Sequence, residues 1–457
     1  MSWRSVFCVQ LACAFGLSLS LGAAAESEAT RQLKLRSAEF EKEIIRVSDS
    51  VYTAVGYGVS PVSMIVGDDG VMIVDTGIDA ASGAEVRSDF REISDKPIRA
   101  VVITHGHPDH LGGLAAFVDS DDVQVWVRDG FQSEANFLRE GGVNRQRKRG
   151  AMQAGFLLSP EQRINNGIAK PYWPTKGGAV FESAHSAKPT HFVADARTRV
   201  AIAGIEVDLV VIDGETDDGL YIWYPKDEVL FSGDNFYKSW PNLYPIRGSA
   251  YRDVRKWALG VDAMLKEGPD AIVGGHTRPI IGAAVVEETL SNYRDAIQFV
   301  FDKTVDGINK GLTPNQLVEY VQLPEKYLQL DYLRPYYGNP EWAIRSIFNG
   351  YLGWFDGNAS NLFPLSDAQE AKRLANALGG VEGLVALIDE AVQKGDYQWA
   401  SQLCDHVLAL EPSNSAAMIF KADALTGLAE HILTATARNY YLSAAKELRR
   451  SAAKEPN

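Results

Sequence analysis

A histidine-rich turn constrains this chain more than any other segment. Three of the eight histidines, with one aspartate among them, fall within residues 105–110, directly after the apolar, β-branched run 100–103. That run predicts a buried strand, so the cluster stands where a strand ends and a tight turn begins. His105 and His107 are two residues apart on extended backbone, and their rings therefore point to the same side. Packed imidazoles would repel one another without a cation, so the turn favours zinc or a similar divalent metal over a solvated loop.

Length and charge narrow the functional classes. At 457 residues the chain is too long for one ordinary core, so two domains are expected. The net charge of −14 argues against a nucleic-acid partner, which needs a basic surface to neutralise phosphates. The dense basic run over 145–149 favours a solvated face over an anion site.

The first 25 residues predict a secretory signal peptide. Arg4 precedes an apolar run over 6–21, and small residues at 23–25 offer a cleavage site before Glu26. The run is too short, and too soon followed by charge, for a membrane anchor. Its removal would leave Cys404 as the single cysteine, so no internal disulfide is expected. We therefore predict an exported protein, periplasmic or secreted, without a stable membrane span.

The order of elements predicts an α/β part followed by helices. Strand-like runs and helical runs alternate as far as residue 276, which implies helices packed on sheet faces. After about residue 285 the pattern is helical, and a helix-turn-helix pair over 397–428 resembles one tetratricopeptide unit. A single unit must stack on neighbouring helices or on a second subunit. After the signal peptide we thus expect a sheet-containing part over 26–309 and an all-α module over 310–457 that serves packing or dimerisation.

Three further strand ends carry candidate metal ligands. They are the acidic turn 213–218, Asp234 and His276, each directly after an apolar run. An acidic turn alone is more often a solvated hairpin, but two histidine-bearing and two acidic strand ends on one α/β domain indicate a shared metal centre. His185 and His191 are expected to be structural.

These residues resemble the metallo-β-lactamase superfamily. Its H-x-H-x-D-H signature is matched by four residues of the turn: His105, His107, Asp109 and His110. The later residues Glu215, Asp234 and His276 are similar in order to the alkyl (class III) sulfatase branch, where a glutamate replaces the third histidine. Further stretches resemble that branch over 241–248, 353–358 and 395–400. The resemblance implies an α/β fold, an αββα sandwich with two zinc ions, followed by an all-α, tetratricopeptide-like dimerisation domain.

The resemblance also implies the ligand set. One zinc ion is assigned to His105, His107 and Glu215. The other is assigned to Asp109, His110 and His276, and Asp234 bridges the two. Asp75 is expected to orient a ligand from behind, and Asp109 is also counted among the catalytic residues. Two zinc ions about 3.5–4 Å apart can share a water and lower its pKa towards about 7, which supplies hydroxide at neutral pH.

The expected substrate is a small, amphiphilic alkyl or aryl sulfate ester, cleaved by a homodimer. The resemblance assigns Arg247 to the sulfate group, and its planar fork of donors suits a tetrahedral oxyanion. Asn242 and Tyr244 stand beside it in sequence and are expected to complete an anion pocket. The irregular stretch 129–180 is long for a connection, and we expect its apolar residues to form a wall for an alkyl chain.

Two departures from the branch leave other reactions open. Pro241 stands where the branch typically has a histidine that can act as general acid, and residues 216–218 replace the usual Ala-Pro-Ala. Proline cannot donate a proton. Either another group such as Tyr244 protonates the leaving alkoxide, or the alkoxide stays on the metal, or the substrate has a leaving group that departs more easily, as in an aryl sulfate. A lactone, a β-lactam or a phosphodiester is the alternative substrate. The non-enzyme alternative is a partner-binding scaffold built on the helical domain.

Overall fold

Two β-sheets form the centre of the protein. The computed structural model describes residues 26–171 and 188–454; the predicted signal peptide and His185 lie outside the described residues. The first sheet contains, in spatial order, β1 Glu43–Arg46, β2 Val51–Val55, β3 Val62–Val66, β4 Val71–Val74, β5 Ile98–Val102, β6 Gln124–Arg128 and β7 His191–Val193. The second contains β8 Arg197–Ile202, β9 Ile205–Val211, β10 Leu220–Tyr224, β11 Val229–Phe231, β12 Ala271–Val273 and β13 Ile280–Ile281, also in spatial order.

Both sheets are mixed, and their parallel parts determine where the functional loops lie. Strands β1 to β4 are antiparallel neighbours, whereas β4, β5, β6 and β7 run parallel to one another. In the second sheet β11 and β12 are parallel and the other pairs antiparallel. The carboxyl ends of parallel strands meet at one edge of a sheet. The loops after β4 and β5 therefore lie together at an edge of the first sheet, and the loops after β11 and β12 lie together at an edge of the second.

The sheets pack face to face through alternating side chains. On β10, Leu220 and Ile222 point into the layer between the sheets, and Tyr221 and Trp223 point to the opposite face. This alternation follows from the two-residue period of a strand, which sends successive side chains to opposite faces. All four side chains are buried, so the second sheet is covered on both faces.

Helices cover both outer faces. In the N-terminal part they are α1 Glu28–Arg36, α2 Ala80–Arg91, α3 Pro108–Leu111, α4 Leu114–Phe117, α5 Ser133–Glu140, α6 Arg145–Gln153, α7 Val254–Lys266 and α8 Ala283–Asn309. Val86 and Phe90 of α2 pack on the outer face of the first sheet. Trp257 of α7 and Tyr293 of α8 pack on the outer face of the second. The predicted αββα layering is confirmed.

The rest of the chain is helical, as predicted. Its helices are α9 Pro314–Tyr320, α10 Glu325–Leu328, α11 Pro340–Leu352, α12 Asp367–Ala377, α13 Val381–Gln393, α14 Tyr397–Leu410, α15 Ser415–His431 and α16 Ala435–Ala452. Leu317 of α9 and Ile344 of α11 join the same apolar core as α7 and α8. The helices beyond α11 have a core of their own, which includes Leu384, Leu403 and Val407. One continuous core therefore crosses the predicted boundary at residue 310. No helix among the described residues is long and apolar enough to cross a membrane.

The stretch predicted to be irregular contains two helices, α5 and α6. Helix α6 lies against α16, where Ser443 Oγ donates to the carbonyl oxygen of Met152 at 3.5 Å. Leu158 is buried against Ala429 and Leu442 of the helical module. The prediction that the apolar residues of this stretch form a wall for an alkyl chain is therefore wrong for Leu158, which packs on the C-terminal helices instead. This long-range contact is not revealed by the local sequence.

Candidate metal centre

The turn after β5 and the loops after β11 and β12 converge on one buried cluster. One group contains His105, His107 and Asp234, and a second contains Asp109, His110 and His276. Within each group the potential ligand atoms lie within 4.8 Å of one another. The structure thus brings together six of the seven predicted ligands, drawn from three separate strand ends.

Asp234 stands between the two groups. Its Oδ1 lies 3.1 Å from Nε2 of His110, and its Oδ2 lies 3.2 Å from Nε2 of His276. The same Oδ2 is 3.9 Å from Nε2 of His105, in the other group. Within the described part of the chain, Asp234 Oδ1 and His110 Nε2 are buried without a hydrogen-bond partner. Buried orphan acceptors are costly, and their arrangement here fits a divalent cation.

Three of the four histidines are anchored through the ring nitrogen that points away from the cluster. His110 Nδ1 donates to Asp75 Oδ2 at 2.7 Å, His276 Nδ1 donates to the Val59 carbonyl at 3.0 Å, and His105 Nδ1 lies 3.1 Å from the Thr104 hydroxyl. Such contacts orient the rings and leave each Nε2 free to bind a metal.

Asp75 serves two neighbours at once. Besides His110, its carboxylate accepts from the backbone N–H of Thr104 at 2.8 Å and from the Thr104 hydroxyl at 2.9 Å. Its φ of 56° lies in the left-handed region, which is strained for a residue other than glycine. The strand end thus holds Asp75 behind the histidines, where the sequence predicted an orienting residue.

The charges around the cluster set which groups are ionised. Burial, together with the neighbouring imidazoles of His110 and His107, holds the pKa of His105 well below its usual value. Burial raises the pKa of Asp234, but His276 and His110 outweigh it and hold that pKa well below the usual range. For His105 and Asp234 these directions favour the neutral imidazole and the ionised carboxylate, the forms that bind a metal.

Glu215 lies beside the cluster rather than inside either compact group. Its Oε1 is 3.5 Å from His107 Nδ1, and its Oε2 accepts from the buried guanidinium of Arg252 at 2.5 Å. Burial raises the pKa of Glu215, and Arg252 opposes that rise. Arg252 also donates to the Asn242 carbonyl at 2.7 Å. Sequence reasoning missed Arg252 because nothing in the loop 248–253 marks one arginine as buried.

Arg247 reaches the same histidine from the other side. Its guanidinium lies 3.2 Å from His107 Nε2 and donates to Glu134 Oε1 at 3.0 Å. Glu134, on α5, is a second residue that sequence reasoning missed, because it lies in the stretch that the sequence left irregular. Burial raises the pKa of Glu134, but its contact with His107 and the charge of Arg247 outweigh this and hold the pKa well below the usual range.

The other two predicted substrate residues, Asn242 and Tyr244, differ in their exposure to solvent. Asn242 is buried, and its backbone N–H donates to the Tyr237 hydroxyl at 2.7 Å. Tyr244 is 38% exposed, and no hydrogen bond within the described residues ties it to the ligands. Its role as proton donor therefore stays a prediction. Tyr337, from the helical module, lies among the same charges: burial, followed by the charge of Glu215, raises its pKa.

Two glycines make the close packing of the cluster possible. A Cβ at Gly275 would lie 2.0 Å from Asp234 Oδ1, and one at Gly106 would lie 2.5 Å from Asp218 Oδ2. Backbone atoms of Gly233 and Asp234 also lie 2.7 Å from the Cβ position at Gly275, so a side chain does not fit there. At Gly106 the nearest backbone atoms, those of Gln132, lie 3.0 Å away, so a side chain there would have to displace Asp218.

Comparisons with known proteins agree with this geometry. Residues 55–276 match the family described as the metallo-beta-lactamase superfamily, and residues 313–451 match alkyl sulfatase dimerisation. A linear primary-alkylsulfatase of a Pseudomonas strain is 33% identical to the chain, over 84% of the chain and 73% of the relative. This chain belongs to the alkylsulfatase family. The predicted enzyme class, a metal-dependent sulfuric ester hydrolase, is confirmed at the level of that family.

Other members of the alkylsulfatase family resemble the chain in sequence and in structure. An (R)-specific secondary-alkylsulfatase from Pseudomonas is 30% identical over 89% of this chain and 62% of the relative. An alkyl/aryl-sulfatase of Saccharomyces cerevisiae is 29% identical over 90% of this chain and 64% of the relative. The solved structure of a stereoselective inverting sec-alkylsulfatase from Pseudomonas superimposes with a TM-score of 0.81, at 29% identity, over 90% of this chain and 66% of that chain. The chain thus spans somewhat less than two thirds of these three proteins.

Replacing Asp75 by Ala should weaken metal binding by this alkylsulfatase-family protein. Loss of the outer partner of a ligating histidine typically costs about 10–100-fold in metal affinity. Competition with a chromophoric zinc chelator measures the affinity directly. Asp69→Ala, at an exposed position in the β3–β4 turn, is the matched control. Unchanged zinc affinity in Asp75→Ala would show that His110 is oriented without this carboxylate.

Proposed function

We propose that this protein hydrolyses alkyl or aryl sulfate esters with two zinc ions held in the cluster around Asp234. The observation that carries the proposal is the guanidinium of Arg247, which lies 3.2 Å from the ligand candidate His107. A fixed cation beside a metal site suits a substrate that is itself a tetrahedral monoanion. The names of the family's members, which include primary and secondary alkylsulfatases, support the same substrate class.

Asp234 would serve both metal sites. His105, His107 and Glu215 would hold one ion, and Asp109, His110 and His276 would hold the other. Bound divalent ions would supply Lewis acidity and a water of lowered pKa as the nucleophile. The protein's part is to fix the ligands: Asp75, Thr104 and the Val59 carbonyl lock three of the rings from behind.

The substrate side is formed by residues 242–252. Arg247 binds the sulfate group, and Asn242 and Tyr244 complete the pocket. Arg252 is buried deeper than Arg247, and its Nη1 donates to Glu215 and to the Asn242 carbonyl, so it supports the pocket rather than binding substrate. An amphiphilic ester would place its charged sulfate group against Arg247. The chain is proposed to act outside the cytoplasm after loss of residues 1–25, with 26–309 as the catalytic part.

The helical module is proposed to form a homodimer. Residues 313–451 match a dimerisation family, and the segment 351–365 exposes a dense set of apolar side chains. Phe363 is 95% exposed and Trp354 73%; the set also contains Tyr351, Leu352, Leu362 and Leu365. Exposed apolar patches of this density mark interaction surfaces. A second copy of the chain is the occupant that the dimerisation match favours, and a self-complementary two-fold contact is the commonest arrangement.

A substrate panel with the Arg247→Ala variant tests the proposed reaction. Zinc-loaded wild type should turn over alkyl or aryl sulfates and show much lower activity on a lactone, a β-lactam or a phosphodiester. In Arg247→Ala the kcat/KM for sulfate esters should fall about 10–100-fold, as expected for loss of hydrogen bonds to a charged group, while any activity on neutral substrates changes little. Arg255→Ala, exposed on α7, is the control.

Two outcomes of this panel contradict the proposal. If the wild-type protein prefers a lactone, a β-lactam or a phosphodiester, that compound class replaces the sulfate ester as the substrate. An equal loss on charged and neutral substrates in Arg247→Ala would mean that this arginine acts only by holding the cluster together.

The Phe363→Asp variant tests the dimer surface. Burying a phenylalanine contributes about 1.5–3 kcal/mol, so placing a charge there should raise the dimer dissociation constant at least about 10-fold. Sedimentation equilibrium over a range of concentrations measures that constant. Phe192→Asp is the matched control, because Phe192 is also exposed but lies outside the matched dimerisation region. Monomeric wild type, or an unchanged constant in Phe363→Asp, would refute the surface.

A further inference from the structure

His107 differs from the other three histidines in what stands behind its ring. Its Nδ1 faces the cluster, 2.9 Å from His105 Nε2 and 3.5 Å from Glu215 Oε1. Its Nε2 therefore points away, towards Glu134 Oε2 at 3.7 Å and Arg247 at 3.2 Å. If Nδ1 binds a metal, the neutral ring carries its proton on Nε2, and two N–H donors then face each other across 3.2 Å.

Glu134 contacts both donors. Its side chain is only 10% exposed, its Oε1 accepts from Arg247 at 3.0 Å, and its Oε2 lies 3.7 Å from His107 Nε2, a charge contact longer than a hydrogen bond. A carboxylate on this side of the ring favours the tautomer with its proton on Nε2, as the closer carboxylate of Asp75, at 2.7 Å, favours the Nδ1 proton of His110. The Glu134 carboxylate also fixes the guanidinium that faces the substrate. Arg252, whose Nη2 is 4.0 Å from Glu134 Oε2, extends the network to Glu215.

Hydrogen bonds to the loop 216–218 fix the start of α5 and thereby the position of Glu134. The backbone N–H of Gln132 donates to Asp218 Oδ2 at 2.6 Å, and the Ser133 hydroxyl donates to Asp217. The Thr216 hydroxyl in turn donates to Asp218 Oδ1 at 2.6 Å. The loop after Glu215 thus supplies, through Asp217 and Asp218, the acceptors that hold the start of α5, so the loop and the placement of Glu134 are parts of one arrangement.

We propose that Glu134 is a positioning residue that couples the metal site to the anion site by fixing the positions of the His107 and Arg247 side chains relative to each other. This inference rests on the proposed function, since it assumes metal bound at His107 and a sulfate group at Arg247. Through Glu134, metal binding at His107 favours the orientation of Arg247 that receives the anion. By linkage, bound anion favours metal to the same extent.

The Glu134→Gln variant separates this role from a merely structural one. The amide keeps the shape of the side chain but cannot accept from both neighbours. Zinc affinity, measured by chelator competition, should fall about 10–100-fold. Affinity for inorganic sulfate, measured by calorimetry on zinc-loaded protein, should fall about 10-fold or more, and KM for a sulfate ester should rise. Glu140→Gln, exposed on the same helix, is the matched control.

A double variant shows whether Glu134 acts through Arg247. In an Arg247→Ala background, Glu134→Gln should change sulfate affinity by no more than about two-fold, because the group it positions is gone. It should still weaken zinc binding through His107. The double variant also removes the unpaired guanidinium that could destabilise the single variant, and circular dichroism on each protein checks the fold.

The outcomes are distinct. Zinc and sulfate affinities that both stay at the wild-type level overturn the inference, as does a lowered melting temperature without a change in either affinity. Loss of only one of the two affinities overturns the coupling. Wild type that binds zinc and sulfate but hydrolyses no sulfate ester would refute the proposed function, while both binding measurements would still decide the role of Glu134.

Discussion

The buried carboxylate of Asp234 is the group on which the rest of this structure depends. It lies within 3.2 Å of His110 and His276 and 3.9 Å of His105, and one of its oxygens has no hydrogen-bond partner among the described residues. Removing such a charge from water is costly unless an opposite charge compensates it. The mixed sheets bring the strand ends to one edge, and glycine at 275 lets the backbone pass against the carboxylate. The packing of the strand ends and the geometry of the candidate metal site therefore depend on each other.

Around that carboxylate, different segments carry the candidate metal ligands and the arginines. The loops after β4, β5, β11 and β12 carry the imidazoles and carboxylates of the candidate metal centre, whereas residues 242–252 carry Arg247, the proposed anion-binding residue, and Arg252, which pairs with Glu215. Glu134 and Glu215 each lie between one arginine and His107, so the two sets of charges compensate each other. This interleaving explains how a strongly acidic chain can present the cationic site that is proposed to bind a sulfate ester. The segment 351–365 lies outside this network and is the surface proposed for dimerisation.

Much of this was predictable from local sequence, and the exceptions share a physical cause. The alternation of strands and helices as far as residue 276, the strand over 100–103 and the candidate ligands at strand ends follow from periodicity and from the short range of a turn. Arg252 and Glu134 were missed because their burial depends on contacts with residues far away in the chain. The predicted apolar wall was wrong for Leu158, since only the fold shows that Ala429 and Leu442 cover it.

The central claim is that two metal ions act together around Asp234. Stepwise addition of zinc to the metal-free protein, with bound zinc and alkyl sulfate turnover measured at each step, tests it most directly. The account predicts binding of about two equivalents, with full turnover reached only as the second site fills, as a two-metal mechanism requires. Full activity at one equivalent, or turnover in the metal-free protein, would contradict it.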